Sequence, residues 1–281
     1  RSTQMLLEQG QALVAARAYR DAAAVFQLAA TQRPDDVFAW ASLGRTQEIL
    51  GQVDAARQSL ERAAELDPDS ALAQRFLGMF YERRGEDAPA LAAYEAAVAA
   101  DGDDAAARLL LAHARMRSQD LAAAAQAYRA VASQRPGNVL ARYYLALAEL
   151  AQGRCDPAAA ALVEGLRIKG NYGPLLEAQA RHAGVCAQGD GLDAALEVAG
   201  QLNAARPDAA SAVTLAIVQA ALGDGAAARE ARSLALARAA DPTARARIDT
   251  QLPADGSPAS RAWLPDSPAL APPRLRPDRL N

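Results

Sequence analysis

Two cysteines and two histidines are the residues of this chain whose side chains could bind a metal ion or form a redox pair. Cys155 and Cys186 are too far apart for a C-x-x-C motif, and His113 and His182 belong to no recognisable metal-ligand motif. The chain also contains no H-E-x-x-H sequence and no G-x-x-x-x-G-K-[ST] phosphate loop. We therefore predict no catalytic residue, no metal site and no cofactor, and we expect a protein that is not an enzyme.

The charged residues are typical of a solvated surface. Glu61, Glu65 and Asp67 lie among arginines at helical spacing, a pattern of weak surface ion pairs. The formal net charge is −3, so no overall attraction to nucleic acid is expected. No apolar run approaches the roughly 18 residues that a membrane-spanning helix needs. These patterns favour a protein partner over nucleic acid or a membrane span.

The sequence that contains these residues repeats the same residue types every 34 positions. Blocks in register begin at Thr3, Val37, Ala71, Ala105 and Val139. In each block, large residues three or four apart predict two helices with an apolar stripe, as Trp40 and Leu43 do in the second block. Small residues indicate a close approach of the two helices, with Gly44 opposite Ala56, and Gly51 ends the first helix.

The repeated residues carry a resemblance to a known family. The second block contains Trp40, Leu43, Gly44, Gln47, Ala56, Leu60, Ala63 and Pro68, and its neighbours contain matching types. This pattern resembles the tetratricopeptide repeat (TPR), a helix–turn–helix unit of the same length. The resemblance implies an all-α fold, a right-handed α–α superhelix of about seven helical hairpins, because one hairpin cannot bury its apolar stripe alone.

The repeats are predicted to cover residues 3–242. Their predicted bounds are 3–36, 37–70, 71–104, 105–138, 139–172, 175–208 and 209–242. The segment 170–174 lengthens one connection, and the sixth block, realigned at Leu175, is recognised by Gly189 and Ala194. Asp241 is a candidate cap for a final helix at 243–252, which would cover the last open face of the stack.

The segment 253–281 differs in composition from the repeats. It holds seven of the fifteen prolines and has no helical apolar period, so an extended or disordered tail is expected. A second interpretation makes it a docking arm, on a partner or on the repeats themselves. Its candidate anchors are Trp263, Leu264, Leu270 and Leu275.

In the TPR family the first helices of the hairpins line a concave groove, and the resemblance assigns groove positions in this chain. The predicted partner-binding residues are Phe38, Arg45, Arg75, Met79, Leu109, His113, Met116, Tyr143 and Leu147. This predicts an arginine-bearing groove in the N-terminal half and an apolar one further on. Such a groove suits an extended segment or an amphipathic helix of a partner. Some of these side chains could instead pack between neighbouring first helices.

The chaperone-binding subclass of TPR domains does not fit the chain. Those domains hold a C-terminal carboxylate with lysines, asparagines and an arginine in the groove. The comparable positions here are Leu7, Gln11, Ala41, Arg45, Arg75 and Met79, which lack the lysines and asparagines. A different anionic peptide remains compatible with the two arginines.

The two cysteines indicate a cellular compartment. Their separation of 31 residues is close to one repeat, and equivalent points of adjacent hairpins are neighbours, so Cys155 and Cys186 could form a disulfide. A bond there would indicate an oxidising location such as the bacterial periplasm. The alternative is two free, half-buried thiols in a cytoplasmic protein.

Two functions are consistent with these observations. The first is a non-enzymatic scaffold or assembly factor of a bacterial envelope complex, which binds a segment of a partner protein in the groove. The second is an integral accessory subunit of a larger enzyme or secretion complex, docked through the tail or the solenoid edge. The sequence does not identify the partner or an oligomeric state.

Overall fold

The computed structural model describes residues 2–186 and 192–257, which form α-helices joined by short turns and contain no strand. In chain order the helices are α1 (Thr3–Ala15), α2 (Tyr19–Gln32), α3 (Val37–Ile49), α4 (Val53–Leu66), α5 (Ala71–Arg84), α6 (Asp87–Ala100), α7 (Ala105–Arg117), α8 (Leu121–Gln134), α9 (Val139–Ala151), α10 (Cys155–Ile168), α11 (Gly173–Cys186), α12 (Leu192–Ala205), α13 (Ala209–Ala221), α14 (Gly225–Arg238) and α15 (Pro242–Gln251). The all-α expectation is confirmed.

Several helices begin where the sequence supplies a capping side chain. Asp36 and Asn138 each accept a hydrogen bond, at 3.0 Å, from the backbone N–H three residues ahead, at the starts of α3 and α9. Asp241 does the same for α15 at 2.8 Å, with Pro242 in the first turn. Helix α11 begins at Gly173, two residues before the predicted position, because Pro174 is tolerated in a first helical turn.

The turn inside a helix pair contains a residue with left-handed backbone conformation. Glycine occupies this position at Gly51, Gly85, Gly153 and Gly223, with φ between 71° and 84°. Arg17 and Gln119 hold the same position with φ of 59° and 64°. An L-residue with a side chain rarely adopts this conformation, so these two turns carry backbone strain that glycine would avoid.

The described residues divide into two compact units, residues 2–114 and residues 115–257 without 187–191. In unit 1, α1 packs on α2, α3 on α4 and α5 on α6, and each pair packs on the next. Its core is built from large side chains of both helices in a pair, among them Phe26, Leu60, Phe80 and Tyr94. Burial of apolar surface between neighbouring pairs stabilises this unit.

Glycines of the first helices in unit 1 leave room for a large residue of the second helices. A Cβ on Gly44 would lie 2.6 Å from Leu60 Cγ, and one on Gly78 would lie 2.7 Å from the Tyr94 ring. The predicted neighbour of Gly44, Ala56, is not the side chain that limits the space. The closest approach is that of a glycine to a large side chain, and a Cβ on Gly78 would also lie 3.3 Å from the carbonyl oxygen of Ala90.

Unit 2 has its own core and a covered end. The rings of Tyr128 and Tyr144 stack with centroids 5.6 Å apart. Helix α15 lies on α14 with Ile248 buried, and its bounds differ by one residue from the predicted 243–252. After α15 the chain runs back along α14, where Arg229 Nη1 donates a hydrogen bond to the Asp255 carbonyl oxygen at 2.7 Å.

Some predicted features lie outside the described residues. These are Gly189 of the sixth repeat and the tail anchors Trp263, Leu264, Leu270 and Leu275. In the part of the chain that the structure does describe, no helix is both long enough and apolar enough to span a membrane.

Candidate functional site

A cavity of about 370 Å³ opens between α1, α2, α3 and α5 of unit 1. Its apolar lining comes from Val14, Phe26, Phe38, Ile49 and Phe76. Polar groups at its wall include Gln11, Tyr19, Ser42 and Arg45. We call this cavity the Arg45 pocket. Its mixture of an apolar wall and a few polar groups is typical of sites that bind small groups or side chains.

Arg45 supplies the pocket with a partly buried positive charge. Its guanidinium lies 5.2 Å from the centroid of the Phe76 ring. Its Nη1 atom is buried and has no hydrogen-bond acceptor within residues 2–186 and 192–257. Burial, reinforced by the charge of Arg83, lowers the pKa of Arg45 to about 10, so the group stays protonated at neutral pH.

The other two arginines near the pocket already have acidic partners. Arg83 forms an ion pair with Glu48, and both side chains are 1% exposed. Arg75 Nε lies 3.5 Å from an Asp104 carboxylate oxygen. Arg75 Nε and Arg83 Nη1 also lack a hydrogen-bond acceptor among the described residues, but both of these arginines have an acidic partner. Arg45 is the arginine of the three for which the described residues provide no ion pair. A buried donor without an acceptor is costly, so an incoming anion is favoured there.

The remaining predicted groove residues of unit 1 do not line the Arg45 pocket. Met79 packs against the cluster of Ala90 and Tyr94. Leu109 and His113 are half-buried on α7, and His113 has interactions of its own. Phe38 and Arg45 are thus the two groove positions that the fold of unit 1 brings together in one cavity.

Two predicted groove residues lie in the core instead of on a surface. Met116 is 3% exposed and Leu147 is 1% exposed. Helix α9, which carries Leu147, packs against α8, α10 and α11, so this side chain is enclosed by neighbouring helices. Neither residue is available to contact a partner, which corrects the assignment made from the repeat positions.

Tyr143 faces a group of charges in unit 2 that the sequence analysis missed. Burial raises the pKa of Tyr143, and the nearest charges are those of Arg181, Glu177 and Arg206. Arg181 Nε also donates to Thr214 Oγ1 at 2.8 Å, and both arginines pair with Glu177. The surroundings of Tyr143 are therefore ionic and not only apolar. The four-residue spacing of Glu177 and Arg181 was the signal available in the sequence.

Cys155 and Cys186 are joined by a disulfide between the start of α10 and the end of α11. This is the pairing that the repeat spacing favours. Next to the bond, His182 Nε2 lies 3.0 Å from the Cys155 carbonyl oxygen. Both sulfurs and a ring nitrogen of His182 lie within 4.8 Å of one another. They line a second cavity, of about 340 Å³, together with Asp156 and Gln179.

The sequence matches one family model, that of the tetratricopeptide repeat. The matches cover residues 7–67, 42–105 and 109–174, which together are more than half of the chain. No curated protein matches the sequence. The family model thus finds repeats in both units.

Solved structures give the same fold. PilW, described as a widely conserved type IV pilus biogenesis factor, is 20% identical, with a TM-score of 0.58 over 73% of this chain and 94% of its own. A TPR protein from Parabacteroides merdae is 16% identical, with a TM-score of 0.59 over 88% of this chain and 96% of its own. YrrB, described as a TPR protein with an unusual peptide-binding site, is 18% identical, with a TM-score of 0.53 over 62% of this chain and 89% of its own.

These identities establish likeness of fold and not of activity, whereas the family model rests on the repeated residues themselves. Those residues are the ones that the structure uses for pairing, since Leu43, Gly44 and Leu60 lie at the contact between α3 and α4. The chain therefore belongs to the tetratricopeptide repeat family.

Proposed function

We propose that this protein is a non-enzymatic scaffold that binds a segment of a partner protein, with the Arg45 pocket as one contact point. The observation that carries the proposal is the buried guanidinium nitrogen of Arg45 at the wall of an apolar cavity. A segment with an apolar side chain beside a carboxylate would satisfy both features. The side chain would fill the cavity beside Phe38 and Phe76, and the carboxylate would accept hydrogen bonds from Arg45.

The comparisons support this class of function. YrrB is described as having a peptide-binding site, and PilW as a factor in building a pilus. Both are similar to this chain in fold only. They favour peptide binding and complex assembly as the first functions to test.

A peptide selection tests the proposal without knowledge of the natural partner. A random peptide library is screened against the wild-type protein, and the affinity of the enriched peptides is then measured for Arg45→Met. We expect the enriched peptides to pair an aromatic or aliphatic residue with Asp, Glu or a free C-terminal carboxylate. Loss of a charged hydrogen bond should weaken their binding by about 10- to 100-fold.

Arg62→Met is the matched control, because Arg62 is 47% exposed and its ion-pair partner among the described residues is the neighbouring Glu65 in α4. It should bind the enriched peptides as the wild type does. Phe38→Ala should weaken binding through the apolar part of the pocket, independently of charge. Enriched peptides that bind Arg45→Met and Phe38→Ala with wild-type affinity would contradict the proposed site.

We also propose that the protein works outside the cytoplasm, in a bacterial envelope complex. The disulfide between Cys155 and Cys186 supports this location, because such bonds persist in oxidising compartments. The fold likeness to PilW points the same way. Fractionation of the source cells, with thiols alkylated at lysis, tests it. Recovery of the protein in the cytoplasmic fraction with both cysteines alkylated would overturn it.

A further inference from the structure

We propose that Cys155, Cys186 and His182 form a zinc site when the disulfide is reduced, so that the two sulfurs are either bonded to each other or bound to a metal ion. This site is independent of the Arg45 pocket and of the proposed partner binding. Two thiolates and one imidazole are a ligand set that Zn²⁺ favours over harder divalent ions.

The backbone already holds the three ligands at suitable distances. The two sulfurs and a ring nitrogen of His182 lie within 4.8 Å of one another, and the cysteine Cα atoms are 5.9 Å apart. Ligands around a tetrahedral Zn²⁺ with bonds of about 2.3 Å to sulfur lie roughly 3.5 to 3.8 Å apart. Rotation of the cysteine and histidine side chains would have to bring the three ligand atoms to that spacing.

The hydrogen bond of His182 determines which ring nitrogen carries the hydrogen and which one could bind a metal ion. A carbonyl oxygen only accepts, so the contact of 3.0 Å to Cys155 means that Nε2 carries the hydrogen. The lone pair is then on Nδ1, which is the ring nitrogen that would bind the cation. A metal-ligating histidine that donates its other N–H to a backbone carbonyl is the common arrangement in zinc sites.

The cavity beside the disulfide gives the ion access and a further ligand. It measures about 340 Å³, and Asp156 and Gln179 line it with the three proposed ligands. A water molecule from this cavity would complete the coordination of the metal. Two thiolates balance the charge of Zn²⁺, so the ion together with its two cysteine ligands would carry no net charge.

The two states interconvert by a defined redox step. A dithiol reductant transfers two electrons and two protons to the disulfide, the S–S bond breaks, and the reductant leaves as a disulfide. Each of the two resulting thiols then releases its proton to solvent as its thiolate binds the metal. A disulfide oxidant reverses the step: it takes two electrons from the two thiolates and two protons from solvent, leaves as a dithiol, and the re-formed S–S bond releases the ion.

Cobalt titration of the full chain tests the site, because Co²⁺ replaces Zn²⁺ and absorbs light when thiolates bind it. The protein is first reduced with a phosphine, which becomes a phosphine oxide as water supplies the oxygen. We expect one Co²⁺ per reduced chain, a thiolate-to-cobalt absorption band, and its loss on addition of Zn²⁺. The oxidised protein should show no band.

His182→Ala should weaken zinc binding by the reduced protein by about 10- to 100-fold or more, since loss of second-shell partners alone costs that much. His113→Ala, which removes the other histidine of the chain, should leave the affinity unchanged. Cys155→Ser should abolish the band of a two-thiolate site.

Circular dichroism follows folding throughout these titrations. If reduction unfolds unit 2, addition of Co²⁺ must restore the helicity together with the band. A reduced protein that gives no band, folded or not, would overturn the proposal, and so would equal zinc affinities for His182→Ala and wild type.

Discussion

At the scale of single residues, the buried Glu48–Arg83 ion pair joins two successive helix pairs. Both side chains are 1% exposed, and each comes from the first helix of a pair, α3 and α5. Removal from water is costly for each ion alone, and their mutual attraction offsets the cost only while both are present. The charge of Glu48 also acts on Arg45, whose pKa it raises against the larger lowering by burial and by Arg83.

Glu48→Ala should lower the free energy of unfolding by about 3 to 5 kcal/mol, because it leaves the Arg83 charge buried without its partner. Urea unfolding followed by circular dichroism measures the loss. The control is Glu65→Ala, since Glu65 and its partner Arg62 are 68% and 47% exposed. That change should cost less than about 1 kcal/mol. Equal losses in the two variants would contradict the role given to burial.

At the scale of helix pairs, the contact of Gly78 with Tyr94 fixes how closely α5 and α6 pack. The Tyr94 ring is fully buried, and its hydroxyl donates a hydrogen bond to a Glu82 carboxylate oxygen at 2.7 Å. The ring is held at both ends and has no space to move aside. A methyl group at position 78 would therefore separate the two helices.

Gly78→Ala should destabilise the protein by about 1 to 3 kcal/mol, the usual cost of overpacking a tight core. Gly200→Ala is a matched change, also inside a helix, but nothing lies within 4 Å of the added Cβ. There the better helix propensity of alanine should stabilise by about 0.5 to 1 kcal/mol. Thermal and urea unfolding of both variants measure the two changes in stability. A Gly78→Ala variant that is more stable than the wild type would contradict the tight packing of Gly78 against Tyr94.

The sequence predicted the helix pairs well because their signals are local. Caps such as Asp36 and the glycines after the first helices are adjacent to the boundaries that they set. The site was predicted less well, because burial depends on residues far away in the chain. Repeat position alone could not distinguish Arg45, which lines a pocket, from Leu147, which three neighbouring helices enclose.

Interactions between repeats were the hardest to predict. Glu48 and Arg83 are 35 residues apart, and His182 meets Cys155 across 27 residues. Neither histidine belongs to a metal-ligand motif in the sequence, so no metal site was predicted for either of them. The structure brings His182 beside the cysteine pair because α11 packs on α10, a contact that no motif contains.

At the scale of the whole molecule, the disulfide is the covalent link between two helix pairs. It closes a loop with a sequence separation of 31 residues between Cys155 and Cys186. The link lies in the part of unit 2 where the repeats depart from strict register. A closed loop restricts the unfolded chain and so stabilises the folded one.

Replacing both cysteines by serine should lower the free energy of unfolding by about 3 to 4 kcal/mol, as the chain-entropy relation gives for a loop of this length. Denaturant unfolding of the oxidised wild type and of the double variant measures the difference. Mass measurement of the alkylated native protein verifies the starting state. Two alkylatable thiols in unreduced native protein, or equal stabilities, would contradict the expected contribution.

The left-handed residue in the turns of the helix pairs of unit 1 has a consequence for how the gene can gain or lose repeats. In unit 1 it recurs at Arg17, Gly51 and Gly85, and the residues that follow continue into a second helix in the same way each time. Removal of residues 52–85 would attach Gly51 to Glu86 and reproduce the original junction. A duplication or deletion of whole 34-residue repeats that begins and ends after these left-handed residues therefore preserves the backbone conformation of the turn. An insertion or deletion of a different length would place another residue at the left-handed position.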